Sequence, residues 1–150
     1  MEQYSQPLEI LVVDDNPGDV GLLEAAFQQW RAQSNVSVVE DGEQALQYLK
    51  KEPPYEFATV PDLIFLDLNL PKKDGRATLA EIKADQELKH IPIIILSTSD
   101  SNKDILDSYK LHANCYMTKP IHIDEFFQKI QLLEDFWLTT VRLPNQTWKR

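Results

Sequence analysis

The chain has 150 residues, 43% hydrophobic and 26% charged, with a formal net charge of −9 at pH 7. That length suits one domain burying roughly two-thirds of its unfolded surface, and the acidic balance opposes sequence-independent affinity for nucleic acid, so direct DNA binding is not expected. No apolar run reaches the roughly 20 residues that span a bilayer, and the start Met-Glu-Gln-Tyr-Ser-Gln-Pro has no basic segment followed by an apolar one, so the expectation is a cytoplasmic domain, neither secreted nor in a membrane.

A first strand is predicted over Leu8 to Val13, ending on Asp14-Asp15. Asn16 then suits an N-cap with Pro17 at the first helical position, and Leu22, Leu23, Ala26, Phe27 and Trp30 recur at helical spacing. The Val-rich stretch Asn35 to Val39 reads as a second strand, and Ala45, Leu46 and Leu49 mark the inner face of a second helix that ends before Pro53-Pro54. Glu52 to Pro61 is the longest predicted loop. Leu63 to Leu66 is apolar at every position, as suits a strand covered on both faces in a parallel sheet, and it ends abruptly on Asp67.

A third helix is predicted from near Asp74-Gly75, with Leu79 and Ile82 on one side, and a fourth strand over Ile93 to Leu96 that ends on Ser97-Thr98. Ser101 or Asn102 can cap a fourth helix with Ile105, Leu106 and Tyr109 inward. The fifth strand, Asn114 to Met117, carries the single cysteine, Cys115, read as a small buried hydrophobe, and runs into Thr118-Lys119-Pro120. The last helix begins near Ile123 and continues through Phe126, Phe127, Ile130 and Leu133 to Trp137. Five strands alternating with five helices imply an α/β fold, a doubly wound parallel sheet in one domain spanning residues 1–150, with about 135–150 as a C-terminal extension.

Ligands in such sheets bind just beyond the carboxyl ends of the strands. One Asp at a strand tip is commonly a turn residue. Here four strands deliver carboxylates, a hydroxyl and an ammonium to one edge, and that set points to chemistry. Asp14, Asp15 and Asp67 would crowd like charges, a conflict that a divalent cation removes. With oxygen ligands, and no Cys or His near them in the predicted arrangement, the ion is expected to be Mg²⁺ or Mn²⁺, with the backbone carbonyl of Asn69 added. Phosphoryl transfer onto Asp67, with Lys119 and Ser97 taking phosphoryl oxygens, fits the constellation.

On these residues the chain resembles the receiver domains of bacterial response regulators, the CheY family, over nearly its whole length. The resemblance implies that Asp14-Asp15 is the acidic pair, Asp67 the phosphoacceptor, Ser97 the hydroxyl position, Tyr116 the aromatic switch, and Lys119-Pro120 the lysine followed by a cis-proline. Asp15-Asn16-Pro17-Gly18-Asp19, Leu66 to Arg76, Ala113-Asn114-Cys115-Tyr116 and Phe136-Trp137-Leu138 further resemble single-domain response regulators of cyanobacterial phytochromes, which implies a stand-alone regulator paired with a light-sensing histidine kinase. His122 departs from the Asp or Thr that many receivers place before the last helix, and it is a weaker N-cap.

The main rival is a Mg-dependent phosphatase or phosphotransferase with an Asp nucleophile. Such haloacid-dehalogenase-like enzymes usually carry a general-acid Asp two residues after the nucleophile, where this chain has Asn69, so a phosphoacceptor rather than an enzyme is expected. Ile123, Phe126, Ile130, Leu133 and Trp137 share one helical face, which suffices to bind the sheet. Leu132, Phe136 and Leu138 lie off it, and Val141, Leu143 and Trp148 add apolar surface. The expectation is a homodimer through Phe136, Trp137 and Leu138; the alternative is that the extension folds back over its own core.

Overall fold

Continuous apolar runs become central strands because only a strand covered on both faces can bury a side chain at every position. In the computed structural model, which describes residues 7–144, β3 (Leu63–Leu66) and β4 (Ile93–Ser97) are buried throughout, and β1 (Leu8–Val13) is buried except at Glu9. The more polar β2 (Ser34–Val39) and β5 (Cys115–Thr118) are only partly buried and form the edges. All neighbouring strands pair in parallel, in the order β2-β1-β3-β4-β5.

Side chains alternate across the sheet, so β1 divides itself between two cores. Leu8, Ile10 and Val12 pack with Leu23, Phe27 and Trp30 of and just after α1 (Pro17–Gln28), and with Phe126, Ile130 and Leu133 of α5 (Ile123–Glu134). Leu11 and Val13 face Ala45, Leu46 and Leu49 of α2 (Gly42–Leu49) and Leu79 and Ile82 of α3 (Gly75–Ala84). Each large aliphatic or aromatic side chain so buried contributes about 1.5–3 kcal/mol. The helices start where short polar side chains take an N–H of the first turn: Asn16 from Asp19, Asp41 from Gln44, Asp74 from Ala77 and Ser101 from Asp104. His122 makes no such bond, and α5 still begins at Ile123.

Three details depart from the sequence expectation. On α4 (Asn102–Lys110), Leu106 and Tyr109 are exposed and Ser108 is the buried residue, its hydroxyl donating to the Asp104 carbonyl at 2.8 Å. This helix lies beside a half-exposed edge strand, and the Tyr109 hydroxyl accepts the Tyr116 N–H at 3.1 Å instead of entering the core. On α5 the inward stripe begins at Phe126, and Ile123, the first residue of the helix, is exposed. The Lys119–Pro120 bond is not cis; the cis bond among the described residues joins Pro53 to Pro54. A trans X-Pro bond is intrinsically favoured by about 0.5–1 kcal/mol, and in trans Lys119 still donates its N–H to the Ser97 carbonyl at 2.7 Å.

At its C-terminal end α5 passes into a π-helical segment, Asp135–Thr140, and the chain then turns back. Leu143 is wholly buried in the α1/α5 core, with Trp137 and Leu138 packed against the same cluster, so part of the extension does cover its own core. Leu132 and Phe136 remain exposed, and Trp148 lies outside the described residues. Glu134, buried, accepts the Ala32 N–H at 3.0 Å and so ties the end of α5 to the chain leaving α1.

Gly75 sets how closely α3 approaches the turn after β3. Its N–H donates to the Leu68 carbonyl at 2.9 Å, and a Cβ there would sit 2.3 Å from the Asp67 carbonyl oxygen and 2.5 Å from the Leu68 Cα. Both are backbone atoms that cannot swing aside. Gly75→Ala is expected to cost roughly 1–3 kcal/mol by overpacking, whereas Gly21→Ala, with nothing within 4 Å of its Cβ position, should be neutral or stabilising. Urea midpoints of the two variants check this; equal stability would show that the close approach is not tight.

Candidate functional site

The strand order reverses between β1 and β3, because β1 continues outward to β2 and β3 continues the other way to β4. Such a switch point opens a crevice beyond the strand ends. Asp14, directly after β1, donates its N–H to the Val39 carbonyl at 3.1 Å, and Asp67, directly after β3, donates to the Val13 carbonyl at 3.0 Å. Both carboxylates are thus carried by the ladder itself. Each has one oxygen held by a backbone N–H two residues on: Asn16 to Asp14 Oδ1 at 2.9 Å and Asn69 to Asp67 Oδ1 at 3.1 Å.

The remaining oxygens meet Lys119, which follows β5. Its Nζ lies 3.3 Å from Asp14 Oδ2, 3.2 Å from Asp67 Oδ2 and 2.5 Å from Asp19 Oδ2. The Lys119 side chain is only 9% exposed, so these contacts are made with little screening by water. Burial by itself pulls the ammonium toward its neutral form, but the Asp19 hydrogen bond and the charges of Asp14 and Asp67 outweigh it and hold the group above the ordinary lysine range. Burial pushes the Asp14 carboxyl above its ordinary range, against the lowering influence of the Asn16 N–H and Lys119.

Asp14, Asp19 and Asp67 offer oxygens that all lie within 4.8 Å of one another. Three carboxylates around one ammonium leave a surplus of negative charge, and an all-oxygen donor set suits a hard divalent cation such as Mg²⁺ or Mn²⁺. The grouping differs from the expected acidic set. Asp15 is exposed and stands outside it, while Asp19, in the first turn of α1, stands inside. The signal was available: Asn16 and Pro17 start α1 immediately after the strand tip, and the third residue of a helix begun there is still beside that tip.

Ser97, the last residue of β4, is fully buried, and its hydroxyl oxygen accepts the Ser99 N–H at 3.2 Å. Tyr116 on β5 donates its hydroxyl to the Ser99 carbonyl at 2.7 Å. The Ser99 hydroxyl donates to Asp104 Oδ2 at 2.6 Å, and Asp104 also pairs with Arg76 of α3. The loop after β4 is therefore tied to α3, α4 and β5 at once. Asn69 is exposed, with its N–H on Asp67.

A model of the response regulator receiver domain matches residues 10–131 of the chain. The response regulator Rcp1 of Synechocystis sp. (strain ATCC 27184 / PCC 6803 / Kazusa) is 41% identical over 143 residues, 95% of this chain and 97% of Rcp1. Among solved structures, that of the phosphorylated cyanobacterial phytochrome response regulator RcpA is 47% identical with a TM-score of 0.90, covering 93% of this chain and 100% of that one. The Mn²⁺-bound form of Rcp1 is 43% identical with a TM-score of 0.87, covering 92% of this chain and 99% of that one. A five-stranded parallel sheet with two aspartates and a lysine at its switch point, matched along most of its length by receivers, makes this chain a member of the response regulator receiver domain family.

Proposed function

We propose that Asp67 accepts a phosphoryl group from a histidine kinase, of the phytochrome class, and that the phosphorylated protein signals by binding other proteins in the cytoplasm. The observation that carries this is the convergence of Asp14, Asp67 and buried Lys119 on one point at the strand ends. An Asp67 carboxylate oxygen forms a bond to phosphorus while the bond from phosphorus to the donor nitrogen breaks, and the electron pair leaves with the donor imidazole. Lys119 is beside Asp67 to take an equatorial phosphoryl oxygen, and Ser97, on the adjacent strand, supplies a hydroxyl for another. Mg²⁺ or Mn²⁺ would be held by Asp14, Asp67 and the carbonyl of Asn69, with exposed Asp15 beside Asp14 as the further acidic residue, and would supply charge neutralisation there. The phytochrome pairing rests on the similarity to RcpA and Rcp1.

Asn69 at the second position after Asp67 leaves the phosphatase reading without its general acid, which favours a phosphoacceptor over a turnover enzyme. Incubation with acetyl phosphate and Mg²⁺ should add one phosphoryl group to the protein, and Asp67→Asn should abolish it by intact mass. Undiminished labelling of that variant would discard Asp67. Asp15→Ala should slow the labelling and weaken Mg²⁺ binding.

The state of Asp67 is read out through Ser97 and Tyr116. Movement of the Ser97 hydroxyl toward a phosphoryl group would release the Ser99 N–H, and the Ser99 carbonyl is what holds the Tyr116 hydroxyl. The Tyr116 ring resonances should therefore shift by NMR on adding Mg²⁺ and trifluoroberyllate. Unchanged resonances would remove Tyr116 from the switch.

The protein works as a homodimer through the end of α5 and the segment after it, where Phe136 and Leu132 are exposed beside Trp137 and Leu138. Sedimentation should show a dimer that Phe136→Ala weakens. A monomer at micromolar concentration with and without phosphorylation would overturn it.

A further inference from the structure

Asp19 belongs to the carboxylate group at the strand ends but not to the acidic pair, the phosphoacceptor or the switch, and it is one of the three carboxylates that contact the Lys119 ammonium. An ammonium has three N–H donors, and here all three face carboxylates. A phosphoryl oxygen on Asp67 can reach Lys119 only if one of them gives way. Asp14 and Asp67 each have a second oxygen fixed by a backbone N–H, and both are buried. The Asp19 side chain is 30% exposed, and it sits in the first turn of α1, where the helix N-terminus stabilises a carboxylate whether or not Lys119 is bound. Released from Lys119, Asp19 is rehydrated at small cost.

We infer that Asp19 is a positioning residue that holds Lys119 in its resting place and yields it to the phosphoryl group, so that the strength of the Asp19–Lys119 contact sets how readily Asp67 is phosphorylated. The inference rests on the phosphoacceptor role of Asp67. The charge-assisted bond to Asp19 is present before the reaction and must be exchanged during it, so it raises the barrier. Asp19→Asn keeps the size and an acceptor oxygen but removes the charge, and Asp19→Glu restores it.

The experiment measures the initial rate of labelling by acetyl phosphate at saturating Mg²⁺ for the intact chain, Asp19→Asn, Asp19→Glu, Lys119→Met and Asp19→Asn with Lys119→Met. Asp19→Asn should label on the order of tenfold faster, the size of one charge-assisted hydrogen bond, and bind trifluoroberyllate tighter by a similar factor. Asp19→Glu should return both toward the unaltered protein. In the Lys119→Met background Asp19→Asn should bring no acceleration, because there is no ammonium left to hold. Hydrogen exchange of the Lys119 ammonium by NMR, with no anion present, should quicken in Asp19→Asn. An equal acceleration without Lys119 would show simple repulsion between Asp19 and the phosphoryl group and would overturn the latch. So would labelling of Asp19→Asn at or below the unaltered rate while Asp67 still labels normally. If the unaltered chain takes no phosphoryl group, or Asp67→Asn takes as much, the phosphoacceptor reading itself falls and this one with it.

Discussion

The site depends on a buried ammonium among carboxylates that cannot stand together without it. Asp14 and Asp67 are brought side by side because β1 and β3 are neighbours and both strands end at the same level. Two carboxylates taken from water at that separation repel one another and lose hydration. Lys119 offsets both costs by bonding to each, and a third bond to Asp19 completes its donor set. Removing Lys119 from this group leaves buried Asp14 and Asp67 uncompensated, which is why the two carboxylates and the ammonium form one unit.

The same ammonium links the chemistry to the frame. Lys119 follows β5, its N–H is bonded to the carbonyl of Ser97 at the end of β4, and its side chain reaches across to the ends of β1 and β3. Four strand ends are thereby held in one constellation. The loop after β4 adds a second layer, in which Ser99 connects Ser97, Tyr116 and Asp104, and Asp104 connects to Arg76 on α3. A small change at Ser97 has a short covalent and hydrogen-bonded route to α3, α4 and β5, elements that the cores hold less firmly on the α4 side.

Apolar residues near the C-terminus are divided between two uses. Leu143 is spent on the chain's own core, and Trp137 and Leu138 lean on it, while Leu132 and Phe136 stay in solvent. The continuation of α5 as a wider π-turn over Asp135–Thr140 changes the angular step per residue, so the helical face projected from Ile123 onward does not extend unaltered to the end.

Most of the frame was legible in the residues themselves. Apolar runs such as Leu63 to Leu66 and Ile93 to Leu96 admit few conformations other than a doubly covered strand, and polar residues such as Asn16, Asp41, Asp74 and Ser101 mark helix starts by bonding locally to the next turn. Placing Asp14, Asp67, Ser97 and Lys119 at one edge followed from each standing at a strand end. What the sequence could not decide were matters set by distance between segments far apart along the chain. The sequence puts Asp19 near the tip of β1, but only the direction of α1 relative to β5 sets its carboxylate against Lys119, beside Asp14 and Asp67. Leu106 and Tyr109 are apolar at helical spacing but stay exposed, because burial depends on what lies beneath the helix and α4 lies beside an edge strand. The return of Leu143 to the core was likewise settled by tertiary contacts, since periodicity records which residues are apolar and not which surfaces will be there to receive them.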